Sequence, residues 1–142
     1  MEVIPKLVNG VRVEFASTVK NEVTKVMLAG IEHLLTREAA PGHLLQVVRM
    51  ASVADRHSWP SRHVTGNAVD ISHVNGRLVG LYDDDRTVRA LVGGLQNRFE
   101  GYKSRRENFG PRFLKKEGRV VAGGVGDHSD HLHFSVSGPH SQ

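Results

Sequence analysis

The sequence of 142 residues contains no cysteine. Disulfide bonds, thiolate metal sites and a cysteine nucleophile are therefore excluded, and any metal must be held by His, Asp or Glu side chains. The sequence also has no internal repeat, no low-complexity tract and no linker-like run of Ser, Pro or Gly. Because domains commonly contain roughly 100–150 residues, we expect residues 1–142 to form a single domain.

A long apolar run is also missing. The first residues, MEVIPKLVNGVRVEF, alternate polar and apolar types and never give the unbroken stretch of a signal peptide or a membrane span. We therefore expect no signal peptide and no membrane insertion. Since no heptad pattern is present either, a monomer is the default expectation.

Positive charge is in modest excess. The formal net charge is +4, which favours an anionic partner without distinguishing nucleic acid, membrane or cell wall. The segment 98–119 holds eight Lys or Arg residues against three Glu. We expect this segment to be a basic surface loop.

Apolar periodicity predicts two main helices. Apolar residues recur at helical spacing from Thr18 onward, which predicts a helix over about 18–38 that closes before Pro41-Gly42. A second apolar stripe predicts a helix over about 84–100. Its expected N-terminus carries Asp83, Asp84 and Asp85, and negative charge is favourable there. A calcium site at these aspartates is disfavoured because no EF-hand spacing follows.

Three further segments have the patterns of strands. A short apolar run at 44–48 predicts a buried strand, and Asn75-Gly76 favours a tight turn within a β-hairpin at 68–82. In the segment 131–136 polar and apolar residues alternate strictly. Side chains alternate across a strand, so two sets are expected on opposite faces: Leu132, Phe134 and Val136 toward the core, and His131, His133 and Ser135 away from it.

Histidines are concentrated in two windows, 57–73 and 128–140, which hold seven of the nine. His63 and Asp70 are seven residues apart and cannot be neighbours on one helical turn, so a loop and a strand must present them. Val69 and Ile71 would face one side of that strand and Asp70 the other. A catalytic zinc site usually has three such ligands, and the third can come from the strand with His131 and His133.

The chain also contains the pattern Ser-x-His-x-x-Gly-x-Ala-x-Asp at 61–70 and Asp130-x-x-His133-Phe134 near its end. Over roughly 44–137 it resembles the zinc D-Ala-D-Ala carboxypeptidase and L-alanyl-D-glutamate endopeptidase family, to which phage endolysins belong. This resemblance implies an α+β fold of the hedgehog/D-Ala-D-Ala peptidase type, with a small antiparallel sheet and two main helices.

Specific roles follow from the resemblance. It implies Zn²⁺ on His63, Asp70 and His133, with Asp130 as the carboxylate that activates the attacking water. His131 creates a His-x-His sequence similar to that of the lysostaphin-type branch, which makes His131 an auxiliary or a rival to Asp130.

The same family uses an upstream arginine to hold its substrate, and Arg49 and Arg56 are both candidates because arginine binds carboxylates in bidentate fashion. The other nearby histidines, His57, His73 and His128, are expected to be loop or surface residues rather than ligands.

The expected activity is therefore hydrolysis of peptidoglycan stem peptides, with the bond, L-Ala-D-Glu or D-Ala-D-Ala, left open. An endolysin is made in the host cytoplasm and acts on the cell wall after release. Two other functions compete with this one. A metal-dependent nuclease would use similar ligands, but no β-β-metal pattern is present and no nucleic-acid partner is expected. A noncatalytic binding module would need a fourth protein ligand to close a structural zinc site.

Overall fold

The computed structural model describes residues 1–17, 19–52, 66–121 and 129–137. In these residues two α-helices, α1 (Lys25–Leu34) and α2 (Arg86–Phe99), accompany short and medium β-strands, so the predicted α+β class is confirmed. The strands, in chain order, are β1 (Glu2–Val3), β2 (Leu7–Val8), β3 (Val11–Phe15), β4 (Glu22–Val23), β5 (Glu38–Ala40), β6 (His43–Leu44), β7 (Val47–Ser52), β8 (Ala68–Val74), β9 (Arg77–Leu78), β10 (Arg105–Phe109), β11 (Leu114–Lys116), β12 (Arg119–Val120) and β13 (Leu132–Val136).

Most of these strands form one sheet in the order β12-β11-β10-β13-β8-β7-β3-β2, with β9 paired to β8. Its pairs are antiparallel except for β3 and β7, which run parallel. The sheet is thus larger than the small antiparallel sheet that was expected, and it is mixed. Two separate ribbons, β1–β4 and β5–β6, lie beside it.

Both helices contribute to the apolar core that the central strands also line. The core includes Met27, Ile31 and Leu34 from α1 and Leu91, Leu95 and Phe99 from α2. The Phe99 ring lies 4.8 Å from the Phe134 ring of β13, centroid to centroid. Because Leu132, Phe134 and Val136 are all fully buried, the predicted alternation of β13 is confirmed for its apolar residues.

The first helix is shorter than the predicted 18–38. It begins at Lys25 because Thr24 caps it, with the Thr24 hydroxyl accepting a hydrogen bond from the Met27 N–H. Val23, which had been placed on the helix, belongs to β4 and pairs with Glu2. Residues 38–40, at the other end, form β5 instead.

The middle of the chain follows its predicted pattern more closely. Asn75 and Gly76 form the expected turn with positive φ values of 50° and 75°. The second strand of the hairpin, β9, ends at Leu78 and gives way to a short 3₁₀ turn at Val79–Leu81. The predicted second helix is confirmed as α2, with Asp85 as its N-cap residue.

The segment 98–119 is not the basic loop that was expected. It contains β10, β11 and the first residue of β12, which form an antiparallel meander. The predicted strand at 44–48 is divided between β6 and β7. None of the helices in the described parts of the chain is long and apolar enough to span a membrane.

Candidate functional site

Asp70 and His133 are brought together by the pairing of β8 with β13. The two residues are direct register partners, and the Asp70 Oδ1 atom lies 2.8 Å from the His133 Nδ1 atom. Each is flanked by buried apolar residues that anchor its strand to the core, so both side chains lie on the opposite face of the sheet. Residues 63 positions apart in the sequence therefore form one polar pair.

The other ring nitrogen of His133 is held by Glu107 from β10. The Nε2 atom lies 3.0 Å from Glu107 Oε1, and the same oxygen accepts a 2.8 Å hydrogen bond from the Ser135 hydroxyl. The Glu107 backbone N–H in turn donates to the Ser135 hydroxyl oxygen at 3.0 Å. Phe109 stacks on the imidazole with ring centroids 5.7 Å apart. These contacts fix both the position and the rotation of the ring.

In this cluster the charged forms of His133 and Glu107 stabilise each other. Burial opposes protonation of His133, but hydrogen bonds with Asp70 and Glu107 outweigh it and raise the pKa of the imidazole to about 9. Burial likewise opposes ionisation of Glu107, yet its hydrogen bonds from His133 and Ser135 and its attraction to the charged imidazole lower its pKa to about 2. At neutral pH an imidazolium thus lies between two carboxylates.

Asp130 and His131 immediately precede β13. The Asp130 Oδ1 atom lies 2.8 Å from His131 Nδ1, and the Asp130 side chain is 77% exposed against 26% for His131. Because β13 begins only at Leu132, Asp130 is not bound by the alternation that would place it on the core face. Both residues line a cleft of about 460 Å³ together with Asp70.

The remainder of that cleft is mostly apolar. Ala51, Leu78 and Gly80 line it together with Ser72. A Cβ atom at Gly80 would lie 3.4 Å from the Asp130 Cβ, so the glycine backbone packs close to Asp130. The cleft therefore combines proton-transfer groups at one side with room for a short aliphatic group.

Arg49, one of the two candidate substrate-binding arginines, lies on β7 opposite His73 of β8. These two residues line a cleft with Glu14. His73 is a half-buried residue of β8, within the predicted hairpin, and its Nδ1 atom lies 2.7 Å from the Ser72 hydroxyl. Arg56, His57, His63 and His128 lie outside the described residues.

No group of three or more His, Asp or Glu side chains within residues 1–17, 19–52, 66–121 and 129–137 is arranged to hold a metal ion. Asp70 and Glu107 contact opposite nitrogens of the His133 ring and cannot share one ion with it. Of the three expected zinc ligands, Asp70 and His133 belong to the part of the chain that the structure describes, and these two lie next to each other.

Glu107 was missed by the sequence analysis because its segment was interpreted as a basic loop. The segment instead contains β10, in which the neighbouring residue Asn108 is buried. A single acidic residue flanked by Arg105-Arg106 and Asn108 was the available signal. Without the pairing of β10 and β13, the sequence does not connect it to His133.

The chain was compared with protein-family models, with curated proteins and with solved structures, and none of them matches it.

Proposed function

We propose that this protein is a zinc-dependent peptidase of peptidoglycan stem peptides, with a fold of the hedgehog/D-Ala-D-Ala peptidase type. The observation that carries the proposal is the contact between Asp70 Oδ1 and His133 Nδ1 at 2.8 Å, in a pair whose far ring nitrogen is held by Glu107. Metal-ligating histidines commonly donate their second ring N–H to a carboxylate in this way. The contacts of His133 with Asp70 and Glu107 support the assignment of Asp70 and His133 as ligands and of Glu107 as the outer partner.

The donor chemistry of these residues fits zinc. Imidazole nitrogen and carboxylate oxygen are ligands that zinc accepts, and a catalytic site needs three of them and one open position. Asp70 and His133 would be two ligands, and His63 would be the third. When bound, zinc supplies Lewis acidity that polarises the scissile carbonyl and lowers the pKa of a coordinated water to about 7.

The residues around the pair divide the remaining work. Asp130 accepts the proton of the attacking water, and its exposed carboxylate lines the same cleft as Asp70. His131, hydrogen-bonded to Asp130, holds that carboxylate in place and assists the transfer. Arg49, which lines a different cleft with Glu14 and His73, or Arg56 would bind a substrate carboxylate, because a guanidinium donates two parallel hydrogen bonds to such a group.

The small apolar part of the cleft supports an alanine-containing substrate. Ala51, Leu78 and Gly80 form an apolar part of the cleft wall against which an alanine methyl group could pack. Both candidate bonds, L-Ala-D-Glu and D-Ala-D-Ala, place an alanine next to the cleavage point. As a phage endolysin, the protein would meet this substrate after its release from the host cytoplasm.

The test is cleavage of purified peptidoglycan, followed through newly released amino groups, with the metal content of each sample measured by mass spectrometry. We expect about one zinc per wild-type chain, since a catalytic site binds a single ion. His133→Ala and Asp70→Ala should lose both zinc and activity. His43→Ala, a change on the β5–β6 ribbon, is the matched control and should keep both.

Other outcomes would assign a different function. Full zinc occupancy without release of amino groups, together with nicking of plasmid DNA, would identify a metal-dependent nuclease. Zinc retained without any hydrolysis would identify a binding module with a structural ion. Retention of zinc in the His133→Ala variant would remove His133 from the ligand set.

A further inference from the structure

A second cleft lies away from the candidate active site, between α2, the β5–β6 ribbon and the segment that joins β10 to β11. It measures about 580 Å³ and is lined by three arginines, Arg89 and Arg98 from α2 and Arg112 from the joining segment. We call it the arginine cleft. None of the described residues that line it is acidic. Cationic groups from two separate segments of the chain thus meet in one cleft.

These three arginines differ from others on the surface in their partners. Arg77 pairs with Asp85, Arg105 with Glu100 and Arg106 with Glu117. In contrast, Arg89, Arg98 and Arg112 form no ion pair with any carboxylate of the described residues. Their positive charge is therefore not neutralised within the described part of the protein.

Two of the guanidinium groups are oriented by backbone carbonyls. Arg98 Nε donates to the His33 carbonyl at 2.7 Å, and Arg89 Nη1 donates to the Asp83 carbonyl at 3.1 Å. A guanidinium has five N–H donors, so these bonds leave several for a ligand. Because these two side chains are already held in place, the binding of an anion costs less side-chain entropy.

Small residues keep the cleft open. Its floor contains Gly93 and Ala90 from α2 and Ala40 from β5. A Cβ atom at Gly93 would lie 3.7 Å from Arg112 Cδ, so the Arg112 side chain extends over the bare helix backbone. The backbone of Gly94 packs against the Ala39 carbonyl, which joins α2 closely to β5. Apart from the three arginines, the lining consists of Gly and Ala residues with Pro41 and Asn97.

The arginine cleft and the candidate active site occupy different faces of the sheet. Phe99 of α2 packs on Phe134, which points to the core side of β13, whereas the neighbouring His133 lies on the other face. A ligand in the arginine cleft would therefore not block the cleft that contains Asp70 and Asp130. Binding and cleavage could take place on one protein at the same time.

We propose that the arginine cleft is a binding site for the phosphodiester groups of a polyol-phosphate polymer of the cell envelope. Arginine recognises phosphate oxygens through parallel charge-assisted hydrogen bonds, and three arginines can hold neighbouring phosphates of one chain. The small Gly and Ala residues of the lining leave room for an unbranched polyol backbone between the arginines. The assignment of this polymer to the cell envelope rests on the proposed function. The recognition of phosphodiester groups is argued from the three arginines and does not depend on that function.

The lining of the cleft favours such a polymer over a nucleic acid. Proteins that bind single-stranded nucleic acids combine basic grooves with aromatic side chains on which the bases stack. The described residues that line the arginine cleft include no aromatic side chain. A polymer without bases is therefore the better match.

The proposal can be tested by titrating the metal-loaded protein with soluble polyglycerol phosphate at low ionic strength. Arg89→Gln/Arg98→Gln/Arg112→Gln should weaken binding by about tenfold, a conservative value because exposed ion pairs are individually weak. The control Lys6→Gln/Lys20→Gln/Arg119→Gln removes the same formal charge from other exposed positions and should bind nearly as tightly as wild type. The wild-type affinity should also fall steeply with added salt.

Sedimentation with cell walls gives a second measurement. Wild type should bind walls that carry polyol phosphate and should bind poorly after hydrofluoric acid has removed those polymers. Equal loss of binding in the two triple variants would overturn the proposal, as would equal binding to treated and untreated walls. Tighter binding of single-stranded DNA than of the polymer, lost in the arginine variant, would identify a nucleic-acid site instead. The arginine variant should still cleave polymer-free peptidoglycan if the proposed peptidase function is correct, so the two proposals can fail separately.

Discussion

His133 Nε2 lies 3.0 Å from Glu107 Oε1, and this contact determines which ring nitrogen could bind a metal ion. With Nε2 directed at the carboxylate, Nδ1 is the nitrogen that lies beside Asp70. Ser135, two residues after His133 on the same face of β13, donates a hydrogen bond to the same Glu107 oxygen. Ser135, Glu107 and His133 therefore form one chain of hydrogen bonds that ends at the candidate metal position.

Replacement of Glu107 should weaken zinc binding without unfolding the protein. Glu107→Gln keeps the size of the side chain but removes the charge that polarises the His133 ring, and Glu107→Ala also removes the hydrogen bond. Outer partners of this kind typically contribute about 10–100-fold to metal affinity, so we expect about tenfold for Gln and up to about 100-fold for Ala. A competition titration against a zinc chelator would measure the change.

Glu117→Gln is the matched control, since Glu117 is an exposed acidic residue that pairs with Arg106. It should leave the zinc affinity unchanged. Nitrogen NMR of the His133 ring in the metal-free protein adds a readout that does not depend on activity, because loss of Glu107 removes one of the two carboxylates that raise the pKa of this imidazole. An unaltered zinc affinity and an unaltered pKa of His133 in Glu107→Ala would show that Glu107 does not hold the ring.

The strand face of each member of the pair Asp70 and His133 could be predicted from local pattern, while their outer partner Glu107 could not be predicted. Alternation within 131–136 places His133 opposite the apolar residues, and alternation around Val69 and Ile71 does the same for Asp70. Neither pattern gives the register that sets them side by side. Glu107 depends on a further pairing, and the many Lys and Arg residues around it resemble a solvated loop.

The ends of the first helix show a related limit. Apolar residues at Val19 and Val23 continue the helical spacing, yet Val23 is buried through a strand that pairs with β1. Apolar spacing alone cannot distinguish a helix from a strand at these positions, because either element would bury the same side chains. Thr24 was the informative residue, as its hydroxyl caps the helix. Tertiary pairing, rather than local preference, decides the boundary.

The metal-free protein should lose stability as the pH rises above neutrality. The pKa of His133 is raised from 6.5 to about 9 in the folded state, so its stabilisation is complete below pH 6.5 and disappears as the pH rises through about 9. For Glu107 the pKa is lowered from 4.5 to about 2, so its stabilisation is complete above pH 4.5 and is lost as the pH falls through about 2. The stabilisation by His133 and Glu107 together is thus greatest between pH 4.5 and pH 6.5.

Urea unfolding after chelation would test this dependence, with midpoints compared at about pH 5.5 and about pH 8.5. The midpoint should be lower at the higher pH in wild type. In His133→Gln, which cannot be charged, most of that difference should vanish. Equal wild-type midpoints at the two pH values would contradict the charged state that the contacts with Asp70 and Glu107 imply.

Gln96 should be important for stability although it lies outside the candidate active site. It is fully buried on α2, where its side chain donates to the Phe113 carbonyl and accepts from the Arg112 N–H. It also bonds to Asn108 of β10. Gln96→Leu would leave these buried groups without partners, which should lower the free energy of unfolding by about 3 kcal/mol.

Asn97→Ala, one position along the same helix but exposed, is the control for that change. Surface substitutions of this kind usually alter the free energy of unfolding by less than about 0.5 kcal/mol. Chemical denaturation followed by circular dichroism would compare the two variants. A small effect of Gln96→Leu would mean that α2 and the β10–β11 connection can separate without cost.

Asp130 and His131 should contribute unequally to turnover. If Asp130 accepts the proton, Asp130→Asn should lower kcat by about 10²–10⁴-fold, the range typical of a general base. His131→Gln removes an assisting hydrogen-bond partner and should cost about tenfold, the lower end of the range for a hydrogen bond to a charged group. Neither variant should lose zinc, because neither residue belongs to the proposed ligand set. Rate measurements on purified peptidoglycan, with the zinc content of each sample, would decide between them: a larger loss in His131→Gln would make the imidazole the base and leave Asp130, 2.8 Å from its Nδ1 atom, as the group that orients it.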